Sequence, residues 1–429
     1  RTSGVEDLLS PHIVDLENDE LLGKEIGPVS LYNEPNLNDG TEYSLRFVGL
    51  DPAGNVSDTV IVKNILYDVT PPLLSISSPE SDIYTAKSEM LFDVNENIYN
   101  FEITWIGKSL TNENDEKIYS HSDVLLAGSY NSDDLFNPEL LDATTYKISI
   151  NGFDRANNKG LESSISKIKV DLTPPEFSNL LPESGSFINL ASIGWSLSEN
   201  IDSGTVYFKR NTSDARLEAV LDGEELNAGR KEPAPLSNYV ALRDGEVYTI
   251  SIIGKDFASN VSKEISVSNI TYDTSPPKIS IISPEQGSFV NSNEISYTVN
   301  EPLTEAEMIW EGDGQESLSF KLRNDDILEG KHILKDYGVN PKEKVFYTIF
   351  IKGVDRASNA GISDSLTNVT FDITPPVFAF SYPSNDLPVN TSKISFELSE
   401  ELEKGSITWI ATKGDDPLSP HKKDLEGDQ

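Results

Sequence analysis

The 429-residue sequence holds no cysteine, two methionines, four histidines and four tryptophans. Disulfides and thiolate metal sites are therefore excluded. Imidazole chemistry has little to work with. His12, His121, His332 and His421 lie in variable or terminal segments, and no H-E-x-x-H pair joins any two of them. No run of about 18 apolar residues exists, so no helix here is built to span a bilayer. Basic residues are scarce: Lys and Arg number 34 against 71 Asp and Glu, a formal net charge of −37. That balance argues against nucleic acid and anionic membrane as partners, since both select for positive charge. It favours solubility and cation binding. Nucleophile elbow, P-loop, dinucleotide fingerprint, EF-hand loop and G-G-x-G-x-D repeat are all missing. Paired carboxylates recur along the chain instead of marking one place, which points away from glycoside hydrolysis and toward a non-enzymatic protein.

What the sequence does have is internal repetition. One segment occurs four times: Y-S-L-R-F-V-G-L-D-P-A-G-N from Tyr43, and related runs from Tyr146, Tyr248 and Tyr347. Each ends in D-x-A-x-N. A second segment, D-x-T/S-P-P, starts at Asp68, Asp171, Asp273 and Asp372. A third is a short acidic turn around Glu96, Glu199, Glu301 and Glu400. Asp51, Asp154, Asp256 and Asp355 follow one another at 103, 102 and 99 residues, and the other two series keep the same intervals. The D-x-A-x-N aspartate always precedes the next D-x-T/S-P-P aspartate by 17 residues, and that one precedes the acidic turn by 28. Length drifts only between the acidic turn and the next D-x-A-x-N, where loops are expected.

Each repeat has about 100 residues, the size of one domain with its own core. The expected boundaries are a C-terminal part of a repeat at 1–68, whole repeats at 69–171, 172–273 and 274–372, and an N-terminal part at 373–429. L-S-P-H-I-V-D-L from Leu9 returns as L-S-P-H-K-K-D-L from Leu418, so the two ends overlap, as a window cut from a longer array would. Arg1 opens no signal-like segment, and any targeting sequence is expected outside the chain.

Strand signals dominate. Tyr248, Ile250, Ile252 and Gly254 alternate with Thr249, Ser251 and Ile253; Ile295, Tyr297 and Val299 do the same. Pro-Pro, Asn and Gly clusters punctuate these runs. Asp325–Lys335 is the one place for a short helix. Many short strands per 100 residues predict all-β, a tandem array of β-sandwiches. An aromatic stands nine residues after each acidic turn, at Trp105, Phe208, Trp310 and Trp409, the register of a buried strand-C aromatic in an immunoglobulin-type sandwich. L-x-D-x-x-x-Y precedes the recurring strand at Leu37/Asp39/Tyr43, Leu140/Asp142/Tyr146 and Leu242/Asp244/Tyr248, the pattern of a tyrosine corner. The fourth copy departs, with Pro341 and Glu343 before Tyr347.

On D-x-A-x-N near the end of the penultimate strand and D-x-T-P-P at the junction, the whole chain resembles bacterial Ig-like domains arrayed in very large secreted or cell-surface proteins, including adhesins. The resemblance implies antiparallel Ig-like sandwiches, an extracellular location, a stalk or filament role, and in some members calcium between domains.

Ig-like topology gathers the acids. The loops after strands B and F lie at the N-terminal pole, beside the linker from the preceding domain. Three carboxylates are then expected to meet at each junction: Asp68, Glu96 and Asp154; Asp171, Glu199 and Asp256; Asp273, Glu301 and Asp355. Asp372 and Glu400 begin a fourth set without its third member. Asn158, Asn260 and Asn359 can add oxygens. Three close carboxylates repel one another unless neutralised, and Ca²⁺ suits a flexible shell of mixed oxygens. Turn chemistry is the alternative, because Asp and Asn bond their own backbone and D-x-T-P-P makes a stiff strand exit.

The leading functional reading is a rod-like stalk or surface filament, each repeat advancing it by about 40 Å. Its partners are neighbouring repeats, with surface glycans, proteins or lateral self-association as further candidates. A second reading makes the variable segments 107–141, 211–241 and 311–341 carbohydrate- or protein-binding surfaces. Tyr99, Trp195 and Trp310 are candidates for stacking on sugars, and buried packing competes for all three. A third reading makes the repeats spacers of a secreted hydrolase.

Overall fold

The computed structural model describes all residues except 1–5, 24, 29, 31–33, 110–113, 315–316, 336 and 426–429. Parts of the variable segments 107–141 and 311–341 thus lie outside the described residues. The chain divides into two compact units, residues 1–186 with 190–271, and 187–189 with 272–429.

The first unit opens with an antiparallel pair, β1 (Thr41–Phe47) and β2 (Val60–Tyr67). A complete sandwich follows. One of its sheets joins β3 (Leu74–Ser78), β5 (Leu91–Val94) and β8 (Gly128–Asn131). The other orders β4 (Tyr84–Thr85), β10 (Ser163–Val170), β9 (Thr144–Phe153), β6 (Asn100–Ser109) and β7 (Asn114–His121). All neighbours are antiparallel except the short β4, which runs parallel to β10. This is the Ig-type arrangement of a three-stranded sheet facing a larger one.

Alternation along the strands explains the pairing. In β9, Tyr146, Ile148 and Ile150 are buried while Thr145 and Lys147 face out. Together with Phe92, Ile103, Trp105 and Ile168 they form one core. Each such side chain stabilises the sandwich by about 1.5–3 kcal/mol on burial. The second sandwich repeats the plan. Phe177–Leu181, Ser192–Leu197 and Gly229–Pro235 form one sheet. Ile265–Tyr272, Glu246–Lys255, Ser203–Arg210 and Arg216–Val220 lie side by side in the other.

The second unit holds a third sandwich, whose core includes Ile295, Tyr297, Met308, Trp310, Tyr347, Ile349 and Val369. It ends in two strand pairs, Phe378–Tyr382 with Ser395–Leu398, and Gly405–Trp409 with His421–Leu425. The fold class is therefore all-β, tandem Ig-like sandwiches with partial sandwiches at both ends.

Trp105, Phe208 and Trp310 are buried in the strands that follow the acidic turns. Trp105 meets Tyr146 edge-on at 5.8 Å, and Trp310 meets Tyr347 at 5.5 Å. Trp409 departs: it is 37% exposed, since among the described residues its strand pairs only with His421–Leu425. Trp195 and Trp310 are core residues and offer no sugar platform. The tyrosine corner forms in all four copies. The Tyr hydroxyl accepts from the amide five residues upstream: Asn38 to Tyr43 at 2.8 Å, Leu141 to Tyr146 at 2.9 Å, Arg243 to Tyr248 at 2.9 Å and Lys342 to Tyr347 at 2.7 Å. The Pro341/Glu343 copy is no exception, because the bond uses a main-chain donor.

The short helix expected over Asp325–Lys335 does not form. A single 3-10 turn covers Asn324–Ile327, and Gly330–Leu334 is a strand paired with Ile295–Val299. Burying Leu334 beside Ile295 outweighs the weak local helix preference of that segment.

Candidate metal centre

Each seam is built by three separate pieces of chain. At the first, Asp68 directly follows β2, Glu96 follows β5, and Asp154 follows β9. The side chain of Asp154 is fixed by its own turn. Its Oδ1 accepts from the Asn158 amide at 2.8 Å and its Oδ2 from Asn158 Nδ2 at 2.7 Å. Residue 157 inside the turn has φ of 70°. Ser259 and Ser358 take the same left-handed conformation, as does Gly54 in the first copy. This is the turn that D-x-A-x-N predicts, with small or polar residues where φ is positive. Asp256 and Asp355 are held identically by Asn260 and Asn359. Both aspartates, like Asp154, are almost fully buried.

The linker aspartates make a second turn. Asp68 Oδ1 accepts from the Thr70 amide at 3.2 Å, and Asp171, Asp273 and Asp372 repeat this with residues 173, 275 and 374. That leaves one carboxylate oxygen of each linker aspartate free of this bond.

The pieces converge as the spacing predicts. In Asp68–Glu96–Asp154, Asp171–Glu199–Asp256 and Asp273–Glu301–Asp355, one oxygen per residue lies within 4.8 Å of the others. Among the described residues, Asp372 and Glu400 join no such group of three. Glu400 Oε1 is shielded from solvent without a hydrogen-bond partner.

The electrostatics follow from this crowding. Burial pushes the Glu96 carboxyl above its ordinary value, and the charges of Asp68 and Asp154 push further. Glu199 is raised by burial and by Asp171 and Asp256, Glu301 by burial and by Asp273 and Asp355. Burial also raises Asp68 and Asp171 against the opposing pull of their turn amides. A cation relieves this repulsion, and an all-oxygen carboxylate set is the donor chemistry of hard ions.

The asparagines also tie each turn to the linker. Their side-chain nitrogens face the linker. Asn158 Nδ2 donates to the Asp68 carbonyl at 2.9 Å, and Asn260 and Asn359 donate to the Asp171 and Asp273 carbonyls at the same distance. Those three carbonyl oxygens are thus engaged by protein donors.

Sequence reasoning also missed a role for the acid of L-x-D-x-x-x-Y. Asp142 Oδ1 accepts from the Leu172 amide at 2.7 Å and Oδ2 from Thr173 Oγ1 at 2.6 Å. Asp39 does the same with Val69 and Thr70. In the divergent copy Glu343 accepts from Ile373 N at 3.2 Å and from Thr374 Oγ1. The recurring acid and the recurring Thr were both visible, 31 residues apart, but nothing in either motif names the other as partner. A further contact lies within the first unit, where the rings of Tyr84 and Phe257 stand 6.0 Å apart.

No family model and no curated protein matches the sequence. Solved structures do. The chain is similar to the chicken CNTN1 FN1–FN3 domains, with 13% identity over 70% of this chain and 99% of that one, TM-score 0.30. It is similar to a tetra-tandem repeat in the extending region of a large adhesion protein, with 13% identity over 74% and 78%, TM-score 0.25. It is also similar to a Ca²⁺-stabilized adhesin that helps an Antarctic bacterium reach out and bind ice, with 13% identity over 77% and 82%, TM-score 0.26. All are tandem-repeat or adhesin structures.

Proposed function

We propose that this chain is a non-enzymatic extracellular segment of a large bacterial adhesin-like protein, a rod-like stalk whose seams are stiffened by calcium. Its units are the repeats 69–171, 172–273 and 274–372, flanked by the partial repeats 1–68 and 373–429. One observation carries the reading: at three successive seams, carboxylates from three distant points of the chain come within 4.8 Å of one another. Three carboxylates, six oxygens at most, suit a hard divalent ion that takes six to eight oxygens, with water completing the shell. Asp68, Glu96 and Asp154 would hold the first ion, Asp171, Glu199 and Asp256 the second, and Asp273, Glu301 and Asp355 the third. Asp372 and Glu400 begin a fourth set without its third carboxylate and are not counted among the three ions. The ion supplies neutralisation; the chain supplies a buried, turn-fixed aspartate in each set and the convergence of three segments.

Calcium titration calorimetry of the metal-stripped chain tests this. Three equivalents should bind in the range of extracellular modules, about 10⁻⁴–10⁻³ M or tighter. Small-angle scattering should show a larger maximum dimension with calcium than with EDTA. No calcium uptake, or an unchanged dimension, sinks metal stiffening.

One feature favours the binding-module reading as a complement. A surface groove of about 550 Å³ on the third sandwich is lined by residues that include Glu305, Glu307, Lys321, Arg323 and Lys352. A glycan array probed with the chain checks it, and an empty array removes carbohydrate from the partners.

A further inference from the structure

The first two linkers are gripped on both sides by hydrogen bonds between protein groups. Ahead of the second linker, Asp142 takes the Leu172 amide and the Thr173 hydroxyl. Beyond it, Asn260 Nδ2 bridges the Asp171 carbonyl at 2.9 Å and Asp256 Oδ2 at 2.8 Å. The first linker has the same two grips, from Asp39 to Val69 and Thr70 and from Asn158 to Asp68 and Asp154. The third shows the trailing grip through Asn359 and the fourth the leading grip through Glu343. Two prolines follow each time and fix φ just beyond the grips.

These bonds span different bodies of the fold. Asp142 belongs to the loop before β9 of the first sandwich. Asn260 belongs to a loop of the second. Between them they engage three consecutive linker residues, 171 to 173. Hydrogen bonds to a carboxylate are among the stronger ones in proteins, and a linker held by one acid and one amide has little freedom left to swivel.

We infer that the D-x-T-P-P linkers beginning at Asp68 and Asp171 are protein-only clasps, closed in the absence of any cation, with Asp39 and Asp142 on the leading side and Asn158 and Asn260 on the trailing side; Asn359 and Glu343 place one side of the same clasp at the third and fourth linkers. The asparagines are positioning residues: they hold the linker aspartate's main chain against the buried aspartate of the following loop. The acidic residues of the leading side stand outside the carboxylate triads. This goes beyond the calcium reading and does not depend on it.

Hydrogen–deuterium exchange of the whole chain in EDTA tests the clasp. The Val69 and Leu172 amides, which donate to Asp39 and Asp142, should exchange slowly in the wild-type chain. Replacing the hydroxyl donors, Thr70→Val with Thr173→Val, keeps the side-chain shape and every triad residue. It should speed exchange at those amides by about tenfold, the effect of losing one hydrogen bond of ordinary net strength. Asn158→Ala with Asn260→Ala should speed the same amides and, in EDTA, shorten the maximum dimension below that of the wild type. Because those asparagines also order their own loops, the Thr pair is the decisive arm, read together with an unchanged circular dichroism spectrum. Fast exchange at Val69 and Leu172 in the wild type, or identical rates in both variants, overturns the clasp. Calcium uptake is read separately, so three bound ions with fast linker exchange would reject the clasp alone, and slow exchange without uptake would reject calcium alone.

Discussion

Asp115 shows what one carboxylate does inside a sandwich. It accepts from the Tyr146 hydroxyl beneath the tyrosine corner and pairs with Lys117 at 2.8 Å. Burial alone would raise its carboxyl, but Lys117 and Tyr146 outweigh burial and hold it below the ordinary value. Burial, and after it the same contact with Asp115, pushes the Tyr146 hydroxyl up to about 12. A depressed carboxylate stabilises the fold above its unfolded pKa, and that contribution disappears as pH falls through the folded value. Asp115→Asn should therefore cost the first sandwich about 1–3 kcal/mol at neutral pH. The gap to wild type should close as the solution is acidified below about pH 4. Thermal unfolding followed by tryptophan fluorescence from pH 7 downward checks this; a gap that ignores pH removes the carboxylate as its cause. Asp7 takes the equivalent place under Tyr43, where His12 shares it at 2.6 Å. The aromatic register and the corner tyrosine could be read from spacing. The acid under the hydroxyl could not, because it lies 31 residues upstream of Tyr146 and 36 upstream of Tyr43, across the stretch whose length drifts.

At the scale of elements, the linker's exit is as constrained as its entry. A Cβ on Gly361 would stand 2.2 Å from the Pro277 carbonyl oxygen, and one on Gly160 would stand 2.7 Å from that of Pro72. Main chain cannot yield as a side-chain tip does. Gly361→Ala should cost the third sandwich about 1–3 kcal/mol, seen as a lower denaturant midpoint; an unshifted midpoint would mean the Pro-Pro path moves freely. Strands were legible because the apolar residues at 248–254 and 295–299 recur every second position. The segment 325–335 was not, because its few apolar residues fit either period. There the choice fell to pairing with Ile295–Val299, a partner the local sequence does not display. The triads were legible for the opposite reason. Constant spacings of 17 and 28 residues fix three acids to three loop positions, and the sandwich topology brings those loops together. The clasp stayed hidden because it joins two motifs that each had a sufficient local reading.

For the molecule as a whole, the proposed calcium sites can be tested by charge. A net charge of −37 means the seams are acidic sites on an acidic chain, so repulsion opposes the ion-free state from near and far. Glu199→Gln separates the two roles of a triad residue by sign. In EDTA the change removes one of three crowded charges, from a carboxyl whose pKa burial, Asp171 and Asp256 already raise. The variant should be at least as stable there as wild type. In calcium it should be less stable, because the second seam loses its ion: at free calcium about a hundredfold above Kd, binding contributes about 2.7 kcal/mol by mass action. Calorimetric stoichiometry should fall from three to two. Unfolding curves of both proteins in EDTA and in calcium should therefore cross over. If Glu199 instead serves only to cap its turn, the variant is weaker in both conditions by the same amount, and the crossing is lost.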